Sequence, residues 1–314
     1  VRHVIALDVG GTSMKAALVG EDGAVLHHAR RETGREGGPD AVVEGLLAFA
    51  ADLRAHGAEH LGAPALAAGV AVPGTVDEAT GTALYSANLG WRDVPLRALL
   101  AERLGMPVAL GHDVRTGGLA EGRAGAGRGA DRFLFVALGT GIAGAIGLAG
   151  GVEAGANGFA GEIGHIVVRP GGRPCPCGQT GCLERYASAA AVGTAWARLS
   201  GRPDADAADC ARAVAAGDPD AARVWTEAVD ALADGLVTAL TLLDPGTLIV
   251  GGGLAEAGDV LFRPLGAAIE RRLTFQAAPV LLPAALGDGA GCLGAALLAQ
   301  DLLQHIPQTT EVRT

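Results

Sequence analysis

Twenty consecutive residues, Phe133–Val152, carry no charge. A run of that length is either a bilayer-spanning helix or a pair of buried strands. The segment FLFVALGTGIAGAIGLAGGV favours strands, because six of the twenty residues are Gly and Gly139-Thr140-Gly141 sits in the middle. Gly at that density weakens a helix and punctuates a hairpin. The expectation is a strand over 133–138, a turn, a strand over 142–148, and no membrane span. The same pattern opens the chain. Residues 3–8 (HVIALD) read as a buried strand, Gly10-Gly11-Thr12 as a turn and residues 15–19 as a second strand. A turn at Glu21-Asp22-Gly23 and a third strand over 25–31 come next. Two such units in 314 residues predict two similar α/β domains with a cleft between them.

The rest of the chain alternates in keeping with that class. Apolar spacing of 3–4 predicts helices over 39–56, 95–104, 187–199, 205–216, 220–243, 260–273 and 291–303. Short β-type runs fall at 65–72, 108–111, 247–250 and 279–282, and the domain boundary is expected near Gly111-His112. Hydrophobic residues make up 49% and charged residues 18%, which gives enough apolar surface for a core and excludes disorder. The net charge of −10 excludes non-specific nucleic-acid binding, which needs a basic footprint. Five cysteines do not form an even disulfide set and no charged-then-apolar leader precedes Val1, so a reducing cytoplasm is expected.

Four groups of residues carry chemistry. In Asp8-Val9-Gly10-Gly11-Thr12 the glycines let backbone N–H groups approach an oxyanion, the Thr hydroxyl can bond a phosphate oxygen, and Asp8 can hold a hydrated Mg²⁺. Alone, this motif is equally a plain hairpin turn. Gly139-Thr140-Gly141 repeats it in the second half, so a nucleotide's phosphates are expected in the cleft. Neither turn is a Walker A loop or a Rossmann fingerprint. The most specific set is His165 with Cys175-x-Cys177-x4-Cys182, since three thiolates and an imidazole make a tetrahedral, closed, structural Zn²⁺ site. A disulfide or free thiols are the alternatives, and the missing leader argues for zinc. Cys210 and Cys292 read as core. Last come three acids beside turns: Asp113 at a strand end, a natural place for a base, and Glu162 and Glu184 flanking the thiol loop, where carboxylates can accept paired sugar hydroxyls.

Together these pieces resemble the ROK family (repressors, open reading frames, kinases), and within it the bacterial glucokinase-like sugar kinases. The matching segments are DVGGT at 8–12, PGTVD at 73–77, NLGW at 88–91, HD at 112–113, GTGIAGAI at 140–147, GEIGH at 161–165, CPCGQTGCLE at 175–184 and IVGGGL at 249–254. The resemblance implies the two-domain, actin-like, hexokinase-like ATPase fold closing over ATP and a hexose. It implies residues 1–111 as one domain, completed by a C-terminal helix over 299–314, and 112–298 as the other. It implies Asp113 as catalytic base, and Gly74, Asn88, Glu162, His165 and Glu184 on the sugar side, with His165 also a zinc ligand. Gly251-Gly252-Gly253 would lie on the adenosine side. The implied reaction is ATP-dependent phosphorylation of a hexose 6-hydroxyl, glucose first, by a homodimer or homotetramer. Another hexose or an N-acetylhexosamine is the alternative substrate, and polyphosphate the alternative donor. The family's sugar-sensing regulators carry an added N-terminal DNA-binding domain; with DVGGT at residue 8 and an acidic balance, the kinase class is expected.

The chain departs from the family at one position. Asn-Asp is usual where this sequence has His112-Asp113. His112 is expected to contact the sugar or line its pocket beside Asp113, and so to bear on the preference among hexoses. Arg115 stands where the family is often small and apolar.

Overall fold

The computed structural model describes residues 1–305, which divide into two compact units. The first contains Val1–Ala120, Ala154–Phe159 and the residues from Asp288 on. The second contains Glu121–Glu153 and Ala160–Gly287. In the first, β1 (His3–Val9), β2 (Ser13–Gly20) and β3 (Val25–Glu32) form an antiparallel run. Then come α1 (Pro39–His60), β4 (Ala68–Val72), the meander β5 (Thr75–Asp77), β6 (Thr82–Ser86) and β7 (Trp91–Val94), then α2 (Leu96–Leu104), β8 (Val108–His112) and α3 (Asp113–Ala124), whose last residues, from Glu121, belong to the second unit. The main sheet has the order β3-β2-β1-β4-β8, with β4 parallel to both β1 and β8. Side chains alternate across a strand. Ile5 and Leu7 face Val42 and Leu46 of α1 and Leu96 and Leu100 of α2, while Val4 and Ala6 belong to the opposite face. Burial on both faces is why β1 reads as an unbroken apolar run.

In the second unit β9 (Arg132–Leu138), β10 (Ile142–Leu148) and β11 (Gly151–Glu153) are antiparallel, so the uncharged stretch is strand, turn, strand. Among the described residues no helix is long and apolar enough to cross a membrane. The helices α4 (Glu184–Ala187), α5 (Ala189–Ser200), α6 (Ala207–Ala215) and α7 (Pro219–Leu243) come next, then β12 (Thr247–Gly251), α8 (Asp259–Glu270) and β13 (Val280–Pro283). Helix α7 starts where Asp218 accepts the N–H groups of Asp220 and Ala221 at 2.8 and 3.0 Å, with Pro219 in its first turn. The sheet order is β11-β10-β9-β12-β13, with β12 parallel to β9 and β13. Strand for strand this repeats the order and directions of the first sheet.

The final helix, α9 (Ala290–His305), lies in the first unit and covers the Val4/Ala6 face. Residues 306–314 of the expected terminal helix lie outside the described residues. The α9 interface is made of Ala295, Ala296 and Ala299 against Ala6, Ala17 and Ala67. Small residues bring backbones together here: a Cβ on Gly69 of β4 would fall inside contact distance of the Ala295 carbonyl oxygen.

Two elements differ from the sequence expectation. The β5-β6-β7 meander is absent from it, because strands of three to five residues show no alternation to read. Helix α3 is absent too, and Asp113 is its first residue rather than the end of a strand. Gly117, Gly118 and Gly122 mask its helical pattern. Gly122 has a packing reason, since a Cβ there would lie 2.5 Å from the Phe133 ring.

Gly69→Ala is expected to force α9 off the sheet and cost about 1–3 kcal/mol, the usual cost of overpacking a close contact. Urea denaturation of the two proteins measures it.

Candidate active site

In the first unit the expected site residues collect at strand ends. Asp8 is the penultimate residue of β1. Gly10 N–H donates to Ser13 O at 3.0 Å and closes the β1–β2 hairpin, so backbone contacts to a phosphate at this turn fall to Gly11 and Thr12. A Cβ on Gly11 would lie 3.8 Å from Asn88 Cβ, which brings the β6–β7 turn beside the DVGGT turn. Gly74 has φ 98° and packs against the Tyr85 carbonyl. Burial pushes the Asp8 carboxyl up from its ordinary range, Lys15 opposes this and Asp288 adds to it. Lys15 pairs with Asp288 in turn, and Gly291 at the start of α9 leaves room for the Asp8 carboxylate.

His112 and Asp113 stand at the junction of β8 and α3. Asp113 Oδ1 accepts Val114 N–H at 2.7 Å and lies 3.3 Å from His112 Nε2. The His112 side chain is 8% exposed and that of Asp113 34%. His112 Nδ1 lies 3.4 Å from the backbone N of Arg115. The unexplained Arg115 is nearly fully buried; its Nε donates to Glu78 Oε1 at 3.0 Å and its NH1 to Gly158 O at 2.9 Å. Glu78 Oε1 also accepts His112 N–H at 3.1 Å. Burial, and then the Arg115 charge, push the His112 imidazole down to about 4.

In the second unit Gly139 N–H closes its turn on Gly141 O at 3.0 Å, as Gly10 does in the first. Glu184 opens α4 and its Oε2 accepts Ile142 N–H at 2.9 Å. A Cβ on Gly141 would meet that oxygen at 2.5 Å, so the glycine serves the acid's approach as well as the turn. The GEIGH segment is clamped to β10 by Gly144 N–H on Gly161 O at 2.7 Å, which sets Glu162 and His165. His165, Cys175, Cys177 and Cys182 come together with all four ligand atoms within 4.8 Å of one another, and none of the cysteines is in a disulfide. His165 Nδ1 is 3.7 Å from Cys175 Sγ, and Cys177 Sγ is 3.6 Å from Cys182 Sγ. Ligands at about 2.3 Å on a tetrahedron are separated by about 3.8 Å, so the donor set fits one Zn²⁺ in both chemistry and spacing. Gly252, with φ 83°, runs against the Leu138 backbone. Beside Gly253 opens a pocket of ≈350 Å³ lined by Ala207, Ala211, Arg212, Trp225, Gly253 and Val260. Cys210 is buried core as expected; Cys292 is partly buried in α9 next to Asp8.

Sequence reading missed Glu78, Arg115 as its partner, and Glu121. Glu121 is fully buried and accepts the N–H groups of Ala126, Ala285 and Leu286 at 2.8–3.1 Å. No local pattern marks an acid whose partners lie so far along the chain.

The His112 shift makes a stability prediction. Below pH 6.5 the unfolded chain binds a proton on this ring that the folded chain refuses until about pH 4. The unfolded state therefore binds more protons, and stability falls as pH falls through that window. The loss attributable to this ring is about 3 kcal/mol at the bottom of the window. Denaturant unfolding of wild type and His112→Gln from pH 7 to 4 should show the variant gaining on the wild type by that order.

The ROK family pattern matches residues 4–302 of this chain. The glucokinase of Thermotoga maritima is 33% identical over 314 residues, which is 95% of this chain and 97% of that protein. The crystal structure of a ROK hexokinase from Thermus thermophilus superposes with a TM-score of 0.85 at 34% identity, covering 96% of this chain and 99% of that one. A ROK family glucokinase from Streptomyces griseus, solved with glucose and AMPPNP, gives a TM-score of 0.80 at 31% identity, covering 95% and 99%. With the duplicated sheets, these likenesses show that the chain has the two-domain, actin-like ATPase fold of the ROK hexokinases and belongs to the ROK family.

Proposed function

We propose that this protein is an ATP-dependent hexose kinase that transfers the γ-phosphoryl group to a sugar 6-hydroxyl, with glucose as the leading substrate. The observation that carries the reading is Asp113: a partly exposed carboxylate at the start of α3, with Oδ1 held by Val114 N–H and facing His112. A carboxylate so held is fit to take the 6-hydroxyl proton while the sugar oxygen bonds to the γ-phosphorus and the bond to ADP breaks. Alignment contributes more to such a transfer than base strength.

The remaining roles rest on the family likeness. Asn88, Glu162, His165 and Glu184, with the backbone at Gly74, bind sugar hydroxyls. Gly11, Thr12, Thr140 and Gly141 meet the phosphates, Gly139 like Gly10 closing its turn instead, and Gly251–Gly253 with the pocket beside Gly253 take the adenosine. Mg²⁺ would be held by ATP and Asp8, and supplies neutralisation of the phosphate charge. The thiol–imidazole cluster holds a structural Zn²⁺, which fixes the loop between Glu162 and Glu184 and calls for a reducing compartment such as the cytoplasm. A homodimer or homotetramer is the expected assembly.

A coupled ADP-release assay over glucose, mannose, fructose, allose and N-acetylhexosamines tests the substrate, with polyphosphate replacing ATP in a parallel arm. No turnover with any of these sugars and either donor overturns the kinase reading. Asp113→Asn is expected to lower kcat by about 10²–10⁴-fold, the range for a general base, while calorimetry shows sugar binding retained. Cys182→Ser is expected to lower bound zinc below one per chain and lower the Tm, because metal binding contributes folding free energy. Elemental analysis and thermal unfolding read the two effects; unchanged values for both would remove the zinc.

A further inference from the structure

His112 has both ring nitrogens turned to the protein. A backbone N–H can only donate, so Nδ1, at 3.4 Å from Arg115 N, is the accepting nitrogen of the ring. In a neutral imidazole the proton then sits on Nε2, and Nε2 is the atom 3.3 Å from Asp113 Oδ1. That oxygen accepts Val114 N–H and has the His112 Nε2–H edge facing it.

The surroundings hold the ring in this state. The charged groups facing it are Asp113 and Arg115 on α3 and Glu78 on the turn after β5. β4 brings Val72 beside its backbone, and α9 brings Leu298 against neighbouring Gly111. Glu78 Oε1 anchors the His112 backbone N–H and the Arg115 guanidinium together, which fixes the Arg115 N–H that selects the tautomer. Arg115 thus has a reason to stand two residues beyond the base.

We propose that His112 is a positioning residue for the base: its Nε2–H donates to Asp113 Oδ1 and holds that carboxylate ionised and aligned for the incoming hydroxyl, with Arg115 and Glu78 setting the tautomer. This rests on the reading of Asp113 as the base. It gives the His-Asp pair of this chain a task different from the sugar contact expected of residue 112. The ring acts on the sugar's proton acceptor and not on the sugar.

The test compares His112→Leu, which has no donor, with His112→Gln, whose Nε2–H reaches about as far as the imidazole Nε2–H. His112→Leu is expected to lower kcat about 10–100-fold, the effect of losing a hydrogen bond to a charged group. The acid limb of its kcat/KM profile should move up by about one pH unit, because the carboxylate loses a donor that favours its charged form. The KM for sugar should stay within about threefold, since the ring does not bind the ground state. His112→Gln should restore kcat to within a few-fold and return the acid limb. Nitrogen-15 spectra of histidine-labelled wild type, with His112 assigned by its loss in His112→Gln, should show the Nε2–H tautomer from pH 8 down to 5. An Nδ1–H tautomer, an imidazolium near pH 6.5, or a His112→Leu enzyme with an unmoved acid limb and a raised sugar KM would each overturn the proposal. The spectra need no activity, so they decide even where His112→Leu fails to fold. Asp113→Asn is the control: if it abolishes turnover while both His112 variants behave as wild type, only this inference falls. If Asp113→Asn turns over normally, the base reading falls with it.

Discussion

A guanidinium with 2% of its side chain exposed cannot be accommodated without a counter-charge, and in the first unit Arg115 is that group. Glu78 answers it, with Oε1 at 2.9–3.0 Å from two of the guanidinium nitrogens. A further donor, NH1, is used by Gly158 O at 2.9 Å. One buried charge thereby joins the end of β8, the first turn of α3, the turn after β5 and the returning segment Ala154–Phe159. Breaking the pair would leave an uncompensated charge inside the protein, which costs more than the pair itself contributes. The short meander is placed by this pair and by burial of Val76, Ala83 and Trp91 in the core rather than by propensity. Arg97 adds to it by donating to Ala79 O at 3.0 Å and to Glu78 O, and Trp91 is buried with its Nε1–H on Pro39 O.

What the sequence makes legible is what local chemistry determines. The β1–β2 and β9–β10 hairpins are readable because both are closed by glycine turns between strands buried on one or both faces. The thiol cluster is readable because its ligands are near in sequence and few folds place three cysteines and a histidine at such spacing by chance. The hidden features are set by topology. Arg115 and Glu78 are 37 residues apart, and Glu121 accepts N–H groups 164 and 165 residues away. Helix α3 is hidden for a related reason: Gly122 answers to Phe133, a neighbour on another element, at the expense of local helical character.

The two sheets share strand order and directions, and in both the first glycine of the Gly/Thr turn spends its N–H on closing the turn. The halves diverge after their third strands. The first continues into α1, whose apolar face packs on the sheet. The second continues into a loop with Ile163 buried near its start, but its thiol-bearing stretch has little apolar surface to bury, Cys175, Cys182 and Leu183 being the buried side chains there. A segment of that composition cannot hold a fixed shape by hydrophobic burial, and a metal cross-link is the usual remedy.

That difference bears on where precision is needed. Glu162 and His165 precede the thiol loop and Glu184 comes after it, so the loop's closure bears on both acids at once. Glu184 is fixed a second time, through Ile142 N–H on β10, and Gly141 gives up its side chain to let it in. The phosphate-type turn of the second unit and its candidate sugar acid are therefore one rigid piece. In the first unit Asp113, the candidate base, is also fixed by backbone and buried groups: Val114 N–H donates to it and His112 faces it, Arg115 N–H donates to His112, and Glu78 pairs with Arg115. Each unit presents its chemical groups from strand ends and helix starts already constrained by buried partners, so little orientational entropy remains to be lost when a substrate binds.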